Sequence, residues 1–455
     1  MFEDQSRRAF LKRSGMLGVG AASPFVMNMA AMGEAAASVN SDYKALVCIF
    51  LFGGNDYANT LPPYDQASYD AYQAQRVALA HTRASLDATV LNPTTPLPGG
   101  RQFALAPTLS PLLPVFNAGR MAAILNVGTL VEPLTKTQYN ARSARMPPKL
   151  FSHNDQQSYW QASSPEGATS GWGGRIGDLM QSGNGSSTLT CINASGNAVF
   201  LTGRQAIQYS VGTNGPIALN GRTSLYGSGA AATALQSLMG GTNPGLIANE
   251  HAKISKRSLD TYAAVNTALA AAPTLTTAFP TSSLGQQLRI VARMISMSSQ
   301  LGARRQVFFV STGGFDLHDA LVAQHPGLMS NLATSAKAFY DATVELGISD
   351  KVTSFTASDF GRTLLANTDG SDHGWGSMHF ALGGAVNGRQ IYGTAPTYAN
   401  NGPSDVGQGR LLPTTSVDQY AATMANWFGV SNTDMSTVLP NINNYNPSTW
   451  NLGFV

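Results

Sequence analysis

Leu46-Val-Cys-Ile-Phe-Leu-Phe-Gly-Gly-Asn-Asp56 is an unbroken apolar run that stops at two glycines and then an acid. Two later runs of apolar, β-branched or aromatic residues likewise end in Gly or Ser ahead of an acid: Val307-Phe-Phe-Val-Ser-Thr-Gly-Gly-Phe-Asp316-Leu-His318 and Val352-Thr-Ser-Phe-Thr-Ala-Ser-Asp359-Phe-Gly. A strand buried on both faces of a parallel sheet reads as such a continuous run. Open α/β sheets gather ligand chemistry at the carboxyl ends of their strands. Three strand ends carrying Asp, two of them followed closely by His, therefore predict a metal-centred site.

The surrounding elements agree with an α/β chain. Ala45 to Phe52 reads as a central strand and Met121 to Val127 as a second one, preceded by a helix over about Leu109 to Ala118. Residues 62 to 110, rich in Pro, Thr and Gln, read as irregular surface structure around one short helix. Helices are predicted near 150–165, after Gly171, over Leu246–Ala272 and over Leu284–Leu301. The runs at 307 and 352 are separated by a helical stretch from Ala323 to Leu346, the spacing of a parallel βαβ crossover. Thr415-Ser416 opens a last helix that ends at Phe428, with Gly429 as its stop. From 183 to 245 the chain is rich in Gly, Ser, Thr and Asn, with short β-prone pieces at 188–192 and 198–201, and reads as a small β-containing insertion. The predicted architecture is an α/β/α sandwich with a mainly parallel central sheet.

The chain has 455 residues, 43% of them hydrophobic and 12% charged, enough for a large core. Its net charge is +3, and no basic stripe interleaved with aromatics points to nucleic acid. Residues 1–37 read as an export signal. Ser6-Arg7-Arg8-Ala9-Phe10-Leu11-Lys12 resembles the twin-arginine motif, a weakly apolar Gly/Ala/Met stretch follows, and Ala35-Ala36-Ala37 supplies small residues for cleavage. The mature chain would then run over 38–455, exported by the twin-arginine machinery to the periplasm or beyond. No later segment approaches the roughly eighteen apolar residues of a membrane span, so no membrane association is expected after processing. Cys48 and Cys191 each sit inside an apolar or β-branched run and read as free, buried thiols.

Chemistry concentrates in the second half. Asp316 and His318, two apart at a strand end, can both turn toward one cation. Asp359 closes the next strand, and Gly361-Arg362-Thr363 leads to Asp372-His-Gly-Trp-Gly-Ser-Met-His379. Four of the seven histidines fall at 318, 325, 373 and 379. A lone Asp or His at a strand end is more often a capping residue. Several at successive ends shift the balance, because clustered carboxylates are costly without a counter-cation. Mixed Asp and His ligands suit zinc or manganese, whereas an oxygen-rich set would favour magnesium or calcium. Ser152-His153-Asn-Asp155 follows the second strand and opens a helix whose free N–H groups favour an anionic ester. Ser152 or His153 could serve there as nucleophile or ligand, or the segment could simply cap the helix. Arg362 could clamp an oxyanion or form an ordinary salt bridge.

Seven segments together carry a family resemblance: Phe52-Gly-Gly-Asn-Asp-Tyr-Ala-Asn-Thr60, Phe151-Ser-His-Asn-Asp-Gln-Gln157, Gly171-Trp-Gly-Gly-Arg175, Gly313-Gly-Phe-Asp-Leu-His318, Ser358-Asp-Phe-Gly-Arg-Thr363, Asp372-His-Gly-Trp-Gly376 and Gly409-Arg-Leu-Leu-Pro413. They resemble a secreted bacterial family catalogued as domain of unknown function number 1501, over essentially the whole mature chain. That family is similar to the alkaline phosphatase and sulfatase superfamily. The resemblance implies a metal-bound active site in an alkaline-phosphatase-like sandwich. By position, Asp56 matches the first-strand ligand and Asp359 the acidic ligand of one metal, Asp316 and His318 match the ligands of a second, and His373 matches the late histidine.

Two departures qualify the match. The superfamily's Asp-His pair is here Asp359-Phe360, so His373 or His379 would have to replace the missing imidazole. Neither cysteine lies in a motif for conversion to formylglycine. The expected activity is metal-dependent hydrolysis of a small phosphate or sulfate ester. Asp56, Asp316, His318, Asp359, Asp372, His373 and His379 are the candidate ligands, and Ser152, His153 and Arg362 the candidate catalytic groups. The rival expectation is an inactive descendant that binds or assembles in the periplasm. A third reading, a secreted polymer-associated protein, rests only on the Gly/Asn/Thr-rich insertion.

Overall fold

The computed structural model describes residues 42–241 and 245–455, so the expected export signal lies outside the described residues. Its strands are β1 (Lys44–Leu51), β2 (Met121–Gly128), β3 (Cys191–Asn193), β4 (Gln208–Gly212), β5 (Gly215–Pro216), β6 (Arg305–Thr312), β7 (Val352–Ser358), β8 (Arg362–Ala366), β9 (Ser371–His373), β10 (Ser377–Gly383), β11 (Gln390–Tyr392) and β12 (Thr415–Ser416). The main sheet runs β11-β2-β10-β7-β1-β6-β3-β4-β5, with β12 added against β2, while β8 and β9 form a separate two-stranded sheet. Helices α1 (Gln66–Arg76), α2 (His153–Ala162), α3 (Trp172–Met180), α4 (Leu246–Ala270), α5 (Ser283–Ser296), α6 (Leu321–Glu345) and α7 (Val417–Phe428) flank the main sheet.

β1 shows why the apolar runs become central strands. Side chains alternate across a pleat, and here both sets are buried. Ala45, Val47, Ile49 and Leu51 enter one core, which includes residues of α5, α6 and the 57–116 segment. Leu46, Cys48 and Phe50 enter the other, with Trp160 of α2, Trp172 of α3 and Tyr420 of α7. This is an α/β/α sandwich with a mixed, mainly parallel sheet. β10 runs antiparallel to both β2 and β7, and β5 antiparallel to β4 at the sheet edge.

Parallel pairing also positions the site. Leu51 of β1 lies opposite Thr312 of β6 and Ser358 of β7. The three acid-bearing loops therefore leave the sheet side by side, at one rim.

Several local expectations are revised. The 183–245 region supplies β3 and β4, which extend the main sheet in parallel beside β6; only Ala198–Leu201 fails to form a strand, becoming a 3-10 turn over Val199–Leu201. Residues 62–110 are not merely surface structure, because Leu86, Leu91, Phe103 and Leu105 are fully buried in the core. The helix expected at 109–118 divides into a 3-10 segment, Pro107–Leu112, and a short α-helix, Leu113–Asn117. Cys48 and Cys191 are free and buried, and burial pushes the Cys191 thiol up to about 12. Among the described residues no helix is long and apolar enough to cross a membrane.

Candidate metal centre

Glycine makes the rim compact. The chain leaves β1 through Gly53 at φ +116, and a Cβ there would stand 2.4 Å from the Asp316 backbone nitrogen. The β1 and β6 loops can touch only because that atom is missing. Gly53 N–H in turn donates to Asp359 Oδ2 at 3.1 Å, tying the β7 end to the same turn.

Three imidazoles meet above this rim. His153 comes from the first turn of α2, His318 from the loop after β6, and His373 from the end of β9. His373 Nε2 lies 3.1 Å from His153 Nε2 and 2.9 Å from His318 Nε2. Asp316 completes the group: Oδ1 is 3.2 Å from His373 Nε2 and 3.1 Å from His318 Nε2, and Oδ2 is 3.4 Å from His153 Nε2. Ligand atoms of His153, Asp316 and His373 all fall within 4.8 Å of one another, a group able to hold a metal ion.

The outer nitrogens decide what the inner ones offer. His153 Nδ1 faces Asp359 Oδ2 at 2.6 Å, His318 Nδ1 faces Asp372 Oδ1 at 3.2 Å, and His373 Nδ1 faces the Phe151 carbonyl at 2.7 Å. Each outer partner is an acceptor, so a neutral ring with its proton on Nδ1 would turn an Nε2 lone pair inward. Carboxylate or carbonyl groups holding ligating histidines in this way fix both tautomer and ring orientation. The His153 and His373 Nε2 atoms and the Asp316 carboxylate then face a common space, with His318 Nε2 beside it at 2.9 Å from His373 Nε2. That donor set fits a divalent cation.

Electrostatics support the same reading. The hydrogen bond to Asp359 raises the His153 pKa despite partial burial, while burial lowers that of His373 against the pull of the Phe151 carbonyl. Burial alone would raise Asp316, but the hydrogen bond and charge of Arg362, with His153 and His318 nearby, hold it below the usual range.

The ten candidate residues divide accordingly. His153, Asp316, His318 and His373 converge, and Asp359 and Asp372 stand behind two of the imidazoles rather than facing the centre. Asp56 does not join them. Its carboxylate is buried against Arg76 and accepts from Asn59 N at 3.0 Å and Ser371 Oγ at 3.1 Å. His379 lies away from the rim, fully buried with its ring 4.9 Å from Trp160 and 6.0 Å from Tyr420. Strand parity explains this: neighbours Met378 and Phe380 enter one core, so His379 points to the opposite face. The Ser152 hydroxyl donates to Asp155 Oδ2 at 2.9 Å. Arg362 is not free to clamp a substrate. Its buried guanidinium holds Asp316 Oδ1 at 2.7 Å and the carbonyls of Gly53 and Ser371.

Three supporting residues escaped the sequence reading of roles. Gln157, one helical turn after His153, donates to Asp359 Oδ2 at 2.8 Å; the i, i+4 spacing on α2 was the available signal. Arg410 donates from Nε to the His373 carbonyl at 2.9 Å, and its guanidinium lies 4.6 Å from the Phe151 ring centre. Phe360, in place of the imidazole the resemblance would supply, sets its ring 4.8 Å from both His153 and His373.

Fold and site thus define an α/β/α protein with a His/Asp cluster at the carboxyl rim of its sheet. The chain belongs to the family described as protein of unknown function DUF1501, whose model matches residues 43–440. No curated protein matches the sequence. Among solved structures, Ps i-CgsB in complex with k-i-k-neocarrahexaose is similar at 9% identity and TM-score 0.36, with 90% of this chain and 78% of that chain covered. The PsFucS1 sulfatase from Pseudoalteromonas sp. is similar at 9% identity and TM-score 0.35, covering 90% and 73%. Likeness at this level carries no argument about the reaction.

Proposed function

We propose that this protein is an exported metal-dependent hydrolase of phosphate or sulfate esters. The observation that carries the reading is the convergence of the His153 and His373 Nε2 atoms and the Asp316 carboxylate, with His318 beside them and each ring braced from behind. Imidazole-rich donors favour zinc or manganese over magnesium or calcium. An ion held there supplies polarisation of an ester oxygen and a lowered pKa for water.

The chain's own part is orientation. Asp359, fixed by Gln157 and Gly53 N–H, keeps His153 turned inward. Arg362 holds the Asp316 carboxylate in place and balances its charge. Asp316 and His318 remain 46% and 45% exposed, which leaves an approach for a small anionic ester from solvent. The twin-arginine-like leader supports export to the periplasm, with the export machinery as transient partner.

A second reading has its own support. Arg362 is consumed by backbone carbonyls and Asp316 and so supplies no ready clamp. A binding or assembly protein built on the same metal centre would show that pattern. Metal analysis of purified wild type beside an Asp316→Ala/His318→Ala variant tests the centre, and a panel of chromogenic phosphate mono- and diesters and sulfate esters separates enzyme from binder. Equal trace metal in both proteins refutes the metal-centre reading. Metal bound without turnover of any ester favours the binder.

A further inference from the structure

We infer that the centre takes one divalent ion and not two, because buried guanidinium groups already serve as the cations for its neighbouring carboxylates. The inference rests on the proposed cation site and concerns its stoichiometry.

Asp56 is the first case. Arg76 Nη2 meets its Oδ2, with the two side chains 0% and 2% exposed. Arg76 Nη1 is anchored on the Thr363 carbonyl at 3.0 Å and the Leu364 carbonyl at 3.4 Å. Asn59 N takes Oδ1 and Ser371 Oγ shares Oδ2, so both carboxylate oxygens are engaged. A metal ion bound to Asp56 would stand beside a fixed positive charge where water does not screen it.

Arg362 engages Asp316 through one oxygen only, leaving Oδ2 toward His153 Nε2 at 3.4 Å for the single ion. Its Nη1 holds Oδ1, and Ser371 Oγ stands between Arg362 Nε at 3.5 Å and Asp56 Oδ2 at 3.1 Å. Asp56, Arg76, Ser371, Arg362 and Asp316 thus form one continuous polar chain under the imidazoles, with guanidinium charge already set against each carboxylate.

Asp359 supplies the remaining buried carboxylate. Oδ2 accepts from His153 Nδ1, Gln157 Nε2 and Gly53 N, while Oδ1 is buried without a partner. A second ion could use Oδ1 only with further donors beside it. The next residue is Phe360, whose ring packs on His153, His373 and the Gly54 turn and offers none.

The test uses untagged full-length protein, stripped with a chelator, reloaded with zinc or manganese and dialysed. Elemental analysis should give one ion per chain, and loaded manganese should give the unbroadened six-line resonance of an isolated ion. Asp56→Asn, checked for folding by thermal melt, should keep its full equivalent, and His153→Ala/His373→Ala should lose it. Two ions per chain, a spin-coupled manganese spectrum, or loss of the ion in folded Asp56→Asn would overturn the single-ion inference and leave the metal-centre reading standing. No retained ion in wild type would overturn the metal-centre reading itself.

Discussion

Replacing Asp359 with Asn tests whether the residues behind the imidazoles do what their geometry requires. In wild type the carboxylate accepts at 2.6 Å from His153 Nδ1, so the ring presents a bare Nε2 to the centre. Asn has the same shape but carries no charge. Gln157 Nε2 and Gly53 N–H claim the same oxygen that faces His153, so the Asn oxygen stays there and its amide nitrogen takes the place of the unpartnered Oδ1. The imidazole keeps its partner but loses the negative charge that makes its Nε2 a stronger donor to a cation. Changing the group behind a ligating histidine typically costs tenfold to a hundredfold in metal affinity, about 1.4 to 2.8 kcal/mol. Competition titration of zinc against a chromogenic chelator measures this directly, with a thermal melt confirming that the variant folds. His153→Ala should make the Asp359→Asn change silent, because the acid acts only through that ring. Unchanged zinc affinity in folded Asp359→Asn, or equal losses in the presence and absence of His153, would refute the reasoning.

Other outcomes follow from the same contacts. Arg76→Met should cost about 3 to 5 kcal/mol in urea unfolding, because it leaves the Asp56 carboxylate buried without its counter-charge; a loss below about 1 kcal/mol would show that the pair is not needed. Burial raises the Asp418 carboxyl to about 6, against the pull of the Ser163 hydroxyl and Arg175. The folded state then holds this proton more tightly than the unfolded chain, whose carboxyl titrates near 3.8. Stability contributed here is present below pH 4 and lost as pH rises through 6, by about 3 kcal/mol; Asp418→Asn should flatten that part of the stability–pH curve, and an unaltered slope would contradict it. Ser152→Ala should leave any measured ester turnover within about twofold of wild type, since its hydroxyl serves only Asp155; a loss of a hundredfold or more would restore Ser152 as a nucleophile.

The parallel core was readable because β1, β6 and β7 are buried on both faces for most of their length, which leaves runs of apolar, β-branched or aromatic residues without charges inside them. The rim was readable for the same reason: acids placed directly after such runs must emerge together when the strands are neighbours. What escaped was partnership across the chain. Nothing in the composition of α1 marks Arg76 as the buried partner of an acid twenty residues earlier, since a basic residue in the last turn of a surface-looking helix is ordinary. The fate of His379 depends on which face of β10 it occupies, a parity fixed only by the antiparallel pairing with β2 and β7. That the 183–245 region joins the main sheet was hidden because its strands are only three, five and two residues long, too short to print a pattern among glycines and serines. His153, Gln157 and Asp359 illustrate the remaining limit. Each was visible as a motif residue, but which one faces the centre is settled by the direction of a single ring nitrogen.

The most direct measurement is anomalous diffraction at the zinc edge from crystals grown after zinc loading. One strong peak is predicted in the space bounded by the Nε2 atoms of His153, His318 and His373 and by the Asp316 carboxylate. An empty centre with those side chains ordered, or a peak seated instead on Asp56 beyond Arg76, would contradict the account.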